Sequence, residues 1–170
     1  DKSFGNLDWT GTSKVNENTV YDLASITKVA SSTVAAMKLV DMGLLDVNKR
    51  LGDYLQFPAG NEYAQVTITS MLSHCAGFTP WIPFYTKTMS NGELKQEVYK
   101  TSQQEGFSLQ VAEGIFIADQ YRDSIFNTII RTPLSSDKSY KYSDLGYYFI
   151  QRIVEQQSSM SLDAFVTKHF

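Results

Sequence analysis

Ala24-Ser25-Ile26-Thr27-Lys28 opens a long apolar-periodic stretch and sets a hydroxyl and an amine three residues apart. Residues i and i+3 share a helix face, so Ser25 and Lys28 can meet without help from distant chain. A serine hydroxyl is a poor nucleophile at neutral pH until a neighbouring base takes its proton, and an unprotonated lysine can be that base. The same spacing also fits a helix-capping serine with a solvated lysine one turn later. A second match, Ser135-Ser136-Asp137-Lys138, shows how readily the pattern arises. It follows Pro133 in a polar stretch without apolar periodicity and reads as a loop. Ser25 instead precedes Ile26, Val29, Ala30, Val34, Met37 and Val40, whose spacings predict one buried helix face.

Working outward, the chain before Ser25 reads as extended. Phe4, Leu7 and Trp9 alternate with Gly and Asn, Gly11-Thr12-Ser13 makes a turn, and Thr19-Val20-Tyr21 follows as a strand. A helix is expected from Ser25 to Met42, stopped by Gly43 in the left-handed cap position. Short helical segments are predicted over Asp46 to Leu55 and over Thr69 to Cys75, the latter capped by Gly77. The stretch from Phe78 to Gly114 is mixed, with an amphipathic helix expected near Glu93 to Thr101. Further helices are predicted over Asp119 to Arg131, Ser143 to Gln157 and, behind a Ser161 cap, Leu162 to Phe170.

A length of 170 residues suits one domain with a sizeable core. A net charge of −3 with scattered Lys and Arg lacks the basic stripe that nucleic-acid binding requires. No apolar run approaches the roughly 20 residues needed to cross a bilayer. The opening Asp1-Lys2-Ser3-Phe4-Gly5 has no apolar signal core, so any export signal is expected outside this sequence. One cysteine, Cys75, and two separated histidines, His74 and His169, give no support for a disulfide, a metal site or a cofactor.

A second candidate lies in Lys141-Tyr142-Ser143-Asp144-Leu145-Gly146-Tyr147-Tyr148. Tyr142 precedes a predicted helix, where a phenol held toward Lys28 could relay protons between serine, substrate and leaving group. Equally, Tyr142 could be a core side chain, with Ser143 or Asp144 an ordinary N-cap.

Several segments in order now carry a resemblance. S-x-x-K is a signature of serine β-lactamases and penicillin-binding proteins. Val15 to Lys28 resembles the approach to the nucleophile in the class C β-lactamase-like family, which includes D-alanyl-D-alanine peptidases and esterases. Gly43-Leu44-Leu45-Asp46 with Leu51-Gly52-Asp53-Tyr54-Leu55 is similar to its following segment, and Ile68 to Phe78 resembles its "LLTHTSGL" stretch. Tyr142-Ser143-Asp144 falls where that family has Tyr-x-Asn. The resemblance implies an α+β fold of which this chain supplies a mostly α-helical part: residues 1–22 as a short N-terminal β segment and 23–170 as the helical subdomain of a single partial domain. It implies Ser25 as the acylated nucleophile, Lys28 as its base or proton partner, Tyr142 as the second proton-transfer group and Asp144 as a substrate-binding position. The Ser25 N–H would supply half of an oxyanion hole. No chemistry is implied for His74 and Gly77, and Cys75 is expected to be a small buried residue.

Two departures shape the expectations. Asp144 replaces the usual Asn, and a carboxylate there favours the charged form of Lys28. The family's third motif, Lys-Thr-Gly or His-x-Gly on a strand, has no match, since Lys87-Thr88-Met89 and Lys2-Ser3-Phe4-Gly5 do not fit. The chain therefore reads as a fragment lacking most of its sheet, inactive or nearly so by itself. Phe4, Leu7, Trp9, Phe165 and Phe170 would be left uncovered and prone to self-association. Tyr121 to Gly146 also resembles proteins in which this domain follows a family 3 glycoside hydrolase domain, which implies a periplasmic or cell-surface location. The leading expectation is a cofactor-free serine hydrolase acting through an acyl-enzyme on a cell-wall peptide, a β-lactam or a small ester. The alternative is a non-catalytic cell-wall-binding or accessory module of an exported glycosidase.

Overall fold

The first helix begins where the sequence places it but turns a different side inward. In the computed structural model, which describes residues 2–170, a π-helical segment, Lys28–Thr33, runs directly into helix α1, Val34–Asp41. Its buried residues are Ser32, Ala35, Ala36 and Leu39, whereas Ile26, Val29, Met37 and Val40 are exposed. The predicted buried face is therefore wrong. This helix is apolar on more than one side, so periodicity cannot choose between faces. The side with small residues is the one that lets other helices approach. The C-terminus closes as expected: Gly43 lies at φ 70°, with Gly43 N–H donating to Val40 O and Leu44 N–H to Leu39 O. That is the Schellman arrangement, satisfying carbonyls that the helix end would leave bare.

Helix α2, Ile68–Leu72, is capped by Thr67, whose hydroxyl accepts the Ser70 N–H. The residue that reverses the chain after it is His74 at φ 59°, three positions earlier than the expected Gly77. Where a helical segment over Asp46 to Leu55 was expected, a 3-10 turn, Leu51–Asp53, forms, and a second, Glu62–Gln65, precedes α2. Helices α3 (Tyr121–Arg131), α4 (Leu145–Ser158) and α5 (Leu162–His169) lie within two residues of the predicted spans. Ser161 holds the N-cap position of α5, although its side chain makes no capping bond.

The strands fall elsewhere than predicted. Residues 2–22 contain only an isolated bridge, Asn6 to Lys14, and no strand, so the N-terminal β segment is not formed. The expected helix over Glu93 to Thr101 is also absent. There β1 (Met89–Ser90) pairs with β2 (Glu93–Leu94) around Asn91-Gly92, both at positive φ as a tight hairpin demands. A second antiparallel sheet orders β3 (Tyr99–Lys100), β5 (Ile115–Ile117) and β4 (Leu109–Ala112). The architecture is thus helices around one core plus two small sheets.

The core joins Leu39, Leu51, Tyr63, Ile68, Ile129, Leu145, Phe149, Ile153 and Phe165. Phe165, expected to be uncovered, is 1% exposed between α5 and its neighbours, while Phe4, Leu7, Trp9 and Phe170 are exposed. A buried aromatic of that size contributes about 1.5–3 kcal/mol when removed from water. Polar ties fix the loops to this core: Asn61 donates to Ile130 O and the Tyr63 hydroxyl to Thr132 O. Gly146 lets α4 cross close to α2, since a Cβ there would sit 2.8 Å from Met71 Cγ.

Candidate active site

Ser25 stands at the mouth of the first helix on a strained turn. Ala24 before it has φ 43°, a left-handed conformation that costs an L-residue about 1–2 kcal/mol. Such strain persists only where surrounding structure enforces it, and it concentrates at functional positions. The Asp22 carboxylate accepts the Ala24 N–H at 2.7 Å and so braces this turn. Lys28 N–H then bonds to Ser25 O, a tight i+3 closure that eclipses the two side chains. Lys28 Nζ donates to Ser25 Oγ at 3.0 Å.

Tyr142 arrives from 117 residues away and donates its phenol to the same oxygen at 3.0 Å. Ser25, Lys28 and Tyr142 are thus brought together, and Asp144 joins them, its Oδ1 2.8 Å from Lys28 Nζ. That oxygen is shielded and has no aligned hydrogen bond among the described residues, so the contact is ionic. The Tyr142 and Tyr147 rings each lie 5.5 Å from the ammonium, within cation–π range. Burial alone pulls the Lys28 pKa down, but Asp144 and Tyr142 outweigh it and raise it above the usual lysine value. Lys28 therefore rests as an ammonium. Among the described residues no backbone carbonyl accepts the Ser25 N–H.

The strap 141–144 is held by its own polar groups. Ser143 is buried; its hydroxyl donates to Thr79 O at 2.6 Å and accepts the Leu145 N–H at 3.1 Å. Ser143 thereby caps α4, while Asp144, in the formal cap position, turns its carboxylate to Lys28. Two residues with no role expected from the sequence also line the site. Tyr147 follows Asp144 by three positions, so the first turn of α4 carries both to Lys28. His74 packs its ring 4.6 Å from that of Tyr142. A histidine set in a left-handed turn could have been suspected only once the turn was known.

The second S-x-x-K match is structural. Ser135 N–H donates to Gly77 O, the Ser135 hydroxyl accepts from Asp137 N–H, and Lys138 Nζ donates to Ala76 O. Cys75, expected to be buried, is half-buried, with its thiol against Ser73 O.

The β-lactamase family model matches residues 1–170. The chain belongs to the β-lactamase family. A protein of Salmonella agona named "Putative D-alanyl-D-alanine carboxypeptidase" is 31% identical over 157 residues, which is 88% of this chain and 31% of that protein. Its counterpart in Salmonella schwarzengrund is 30% identical over 161 residues, covering 90% and 32%. The chain thus spans about a third of the length of these β-lactamase-family relatives. Among solved structures, the penicillin-binding protein from Bacillus halodurans superposes with a TM-score of 0.63 at 17% identity, over 98% of this chain and 44% of that one. The class C β-lactamase from Rhodobacter sphaeroides gives 0.62 at 17% identity, over 98% and 38%. At that identity the likeness speaks for the fold alone. Among the described residues, no helix is long and apolar enough to cross a membrane.

Proposed function

We propose that this β-lactamase-family chain carries the nucleophile of a serine hydrolase, with Ser25 acylated during the reaction. The observation that carries the reading is the double contact on Ser25 Oγ: Lys28 Nζ and the Tyr142 hydroxyl, each at 3.0 Å, at the end of a strained turn. Neither Lys28 nor Tyr142 alone would distinguish a nucleophile from a capping serine. Converging from opposite ends of the chain, they enclose it in proton-transfer groups.

The proton path follows from who donates. At rest both neighbours donate to Ser25 Oγ, so one proton must first leave the Lys28–Tyr142 pair for solvent. That pair then accepts the serine proton as Oγ bonds to the acyl carbon. The bond to the leaving nitrogen or oxygen breaks as the same proton is delivered to it, and water later releases the acyl group. The Ser25 N–H would stabilise the tetrahedral oxyanion. For the substrate we favour a cell-wall peptide, in keeping with the relatives' names, with a β-lactam or small ester as chemically equivalent acyl donors. A periplasmic or cell-surface location accords with that substrate.

One observation favours a second reading. The Lys28–Asp144 ion pair opposes loss of the lysine proton, as suits a module that holds cell-wall peptide beside a glycosidase domain without cleaving it. Covalent labelling separates the two. The full-length gene product, treated with a fluorescent penicillin and with a fluorophosphonate, is expected to carry one adduct. Mass spectrometry should map it to the Ser25 peptide, and Ser25→Ala should abolish it. Labelling elsewhere, or none with either probe, would overturn the hydrolase reading.

A further inference from the structure

The strap carrying Tyr142 and Asp144 is pinned to residues 74–80 by four hydrogen bonds. Lys141 N–H donates to His74 O at 2.9 Å and Asp144 N–H to Pro80 O at 2.8 Å. The Ser143 hydroxyl donates to Thr79 O at 2.6 Å, and Ser143 N–H donates to His74 Nδ1 at 3.2 Å. Three of these acceptors are peptide carbonyls, which keep their lone pairs at any ordinary pH. The fourth is a ring nitrogen that a proton can occupy.

We propose that His74, as the neutral imidazole, is a positioning residue for Tyr142: its Nδ1 holds the Ser143 amide and its ring backs the phenol, so protonating it unseats Tyr142 from Ser25. The proposal rests on the reading of Ser25 as the acylated nucleophile and adds a residue to that site. Three observations carry it. The His74 backbone is left-handed at φ 59°, a place where glycine would sit without strain. That conformation swings the side chain back under the strap, where its Nδ1 meets the one amide that adjoins Tyr142. The imidazole and Tyr142 ring centroids also lie 4.6 Å apart, the planes tilted by 39°, so the histidine packs against the phenol ring.

The neighbours of the imidazole favour its neutral form on balance. Lys28 approaches from the first helix, Tyr140 from just before the strap, Tyr142 and Asp144 from the strap itself, and Tyr147 from α4. Burial and then the Lys28 charge hold the imidazole's pKa below its usual value, with Asp144 opposing. At neutral pH the ring is therefore uncharged and can accept. As pH falls through that lowered value, an Nδ1–H would face the Ser143 N–H, and a second cation would face Lys28. Donor meets donor and charge meets like charge. Both push the strap away from Ser25.

The test compares wild type with His74→Asn and His74→Gly. Asparagine tolerates the left-handed backbone and offers a carbonyl oxygen in place of Nδ1; glycine relieves the strain but offers nothing. Ser25 acylation of the full-length gene product is measured from pH 4 to 9 with the probe that labels it. Wild type should lose acylation on the acid side more steeply than the loss of free Lys28 amine alone requires. His74→Asn should keep the neutral-pH rate and retain only the Lys28-dependent slope, while His74→Gly should fall about 10–100-fold at every pH with its fold intact by circular dichroism. Histidine 15N NMR, with the His74 signal assigned by its loss in His74→Asn, should show an acceptor Nδ1 at pH 7 that protonates together with a shift of the Ser143 amide. If His74→Gly acylates like wild type, or the added acid-side loss survives in His74→Asn, the proposal is wrong. If no variant acylates, the hydrolase reading fails. The NMR titration then decides the His74 contact alone, and a Ser143 amide that ignores pH would overturn it.

Discussion

Lys28 serves two requirements that pull against each other. It must lie near enough to Ser25 to take a proton, yet Asp144 at 2.8 Å rewards it for keeping its own. Its raised pKa means that the ion pair's stabilisation is fully present below the ordinary lysine pKa and is lost as pH rises through the raised value. At neutral pH the protein therefore has the whole benefit of the pair and little free amine. Asp144→Asn removes the carboxylate and should lower the Lys28 pKa, because the charge that favours the ammonium is gone. The rising limb of Ser25 acylation against pH should move to lower pH with it. A profile unmoved by Asp144→Asn would mean that the proton is taken without Lys28 losing its charge. The sequence exposed this conflict as soon as Asp144 stood where an amide is usual. It did not expose His74 or Tyr147, because a ring's usefulness depends on a backbone angle or a helix phase that spacing alone does not reveal.

At the scale of elements, helices were legible where one apolar face met one core. Helices α3, α4 and α5 carry a single stripe, and their spans follow from it. The first helix misled because its large side chains, Ile26, Val29 and Met37, point outward, while Ser32, Ala35 and Ala36 make the close contacts. The β1–β2 hairpin was missed although Asn91-Gly92 announces such a turn: strands of two residues are too short to show alternation. The element that matters most for the site is the junction of 74–77 with 135–138. Gly77 sits at φ 78°, and a Cβ there would lie 2.5 Å from Ser135 O and 2.8 Å from Lys138 Nζ. The carbonyl cannot yield without losing the Ser135 N–H to Gly77 O bond. Gly77→Ala therefore combines a left-handed penalty with a backbone clash and should cost about 2–4 kcal/mol. Urea unfolding should show the loss as a lower midpoint at unchanged slope. A midpoint equal to that of wild type would mean that the two loops separate freely.

For the whole molecule, the outward side of the first helix is the unresolved energetic matter. Ile26 is 57% exposed, Val29 61% and Met37 64%, with Val40 beside them and Val20, Tyr21 and Leu23 exposed just before. Each exposed large apolar side chain forgoes about 1.5–3 kcal/mol of burial. Single ones are ordinary on a protein surface, but a row of them along one helix is not. The inward side of the same helix packs Ala35, Ala36 and Leu39 almost completely, so the helix cannot rotate to hide its outer face without emptying the core. For this chain in isolation, a second copy is the surface at hand to cover it. Sedimentation over a concentration series should therefore show reversible association, and a hydrophobic dye should bind the dilute species and be displaced as it associates. Met37→Lys with Val29→Glu places opposite charges on the exposed face without touching the core. That double variant should sediment as a monomer with dye binding lost and thermal stability little changed. A wild-type chain that stays monomeric and dye-free at every concentration would show that these side chains find cover within the chain, and the outward orientation of the helix would then be wrong.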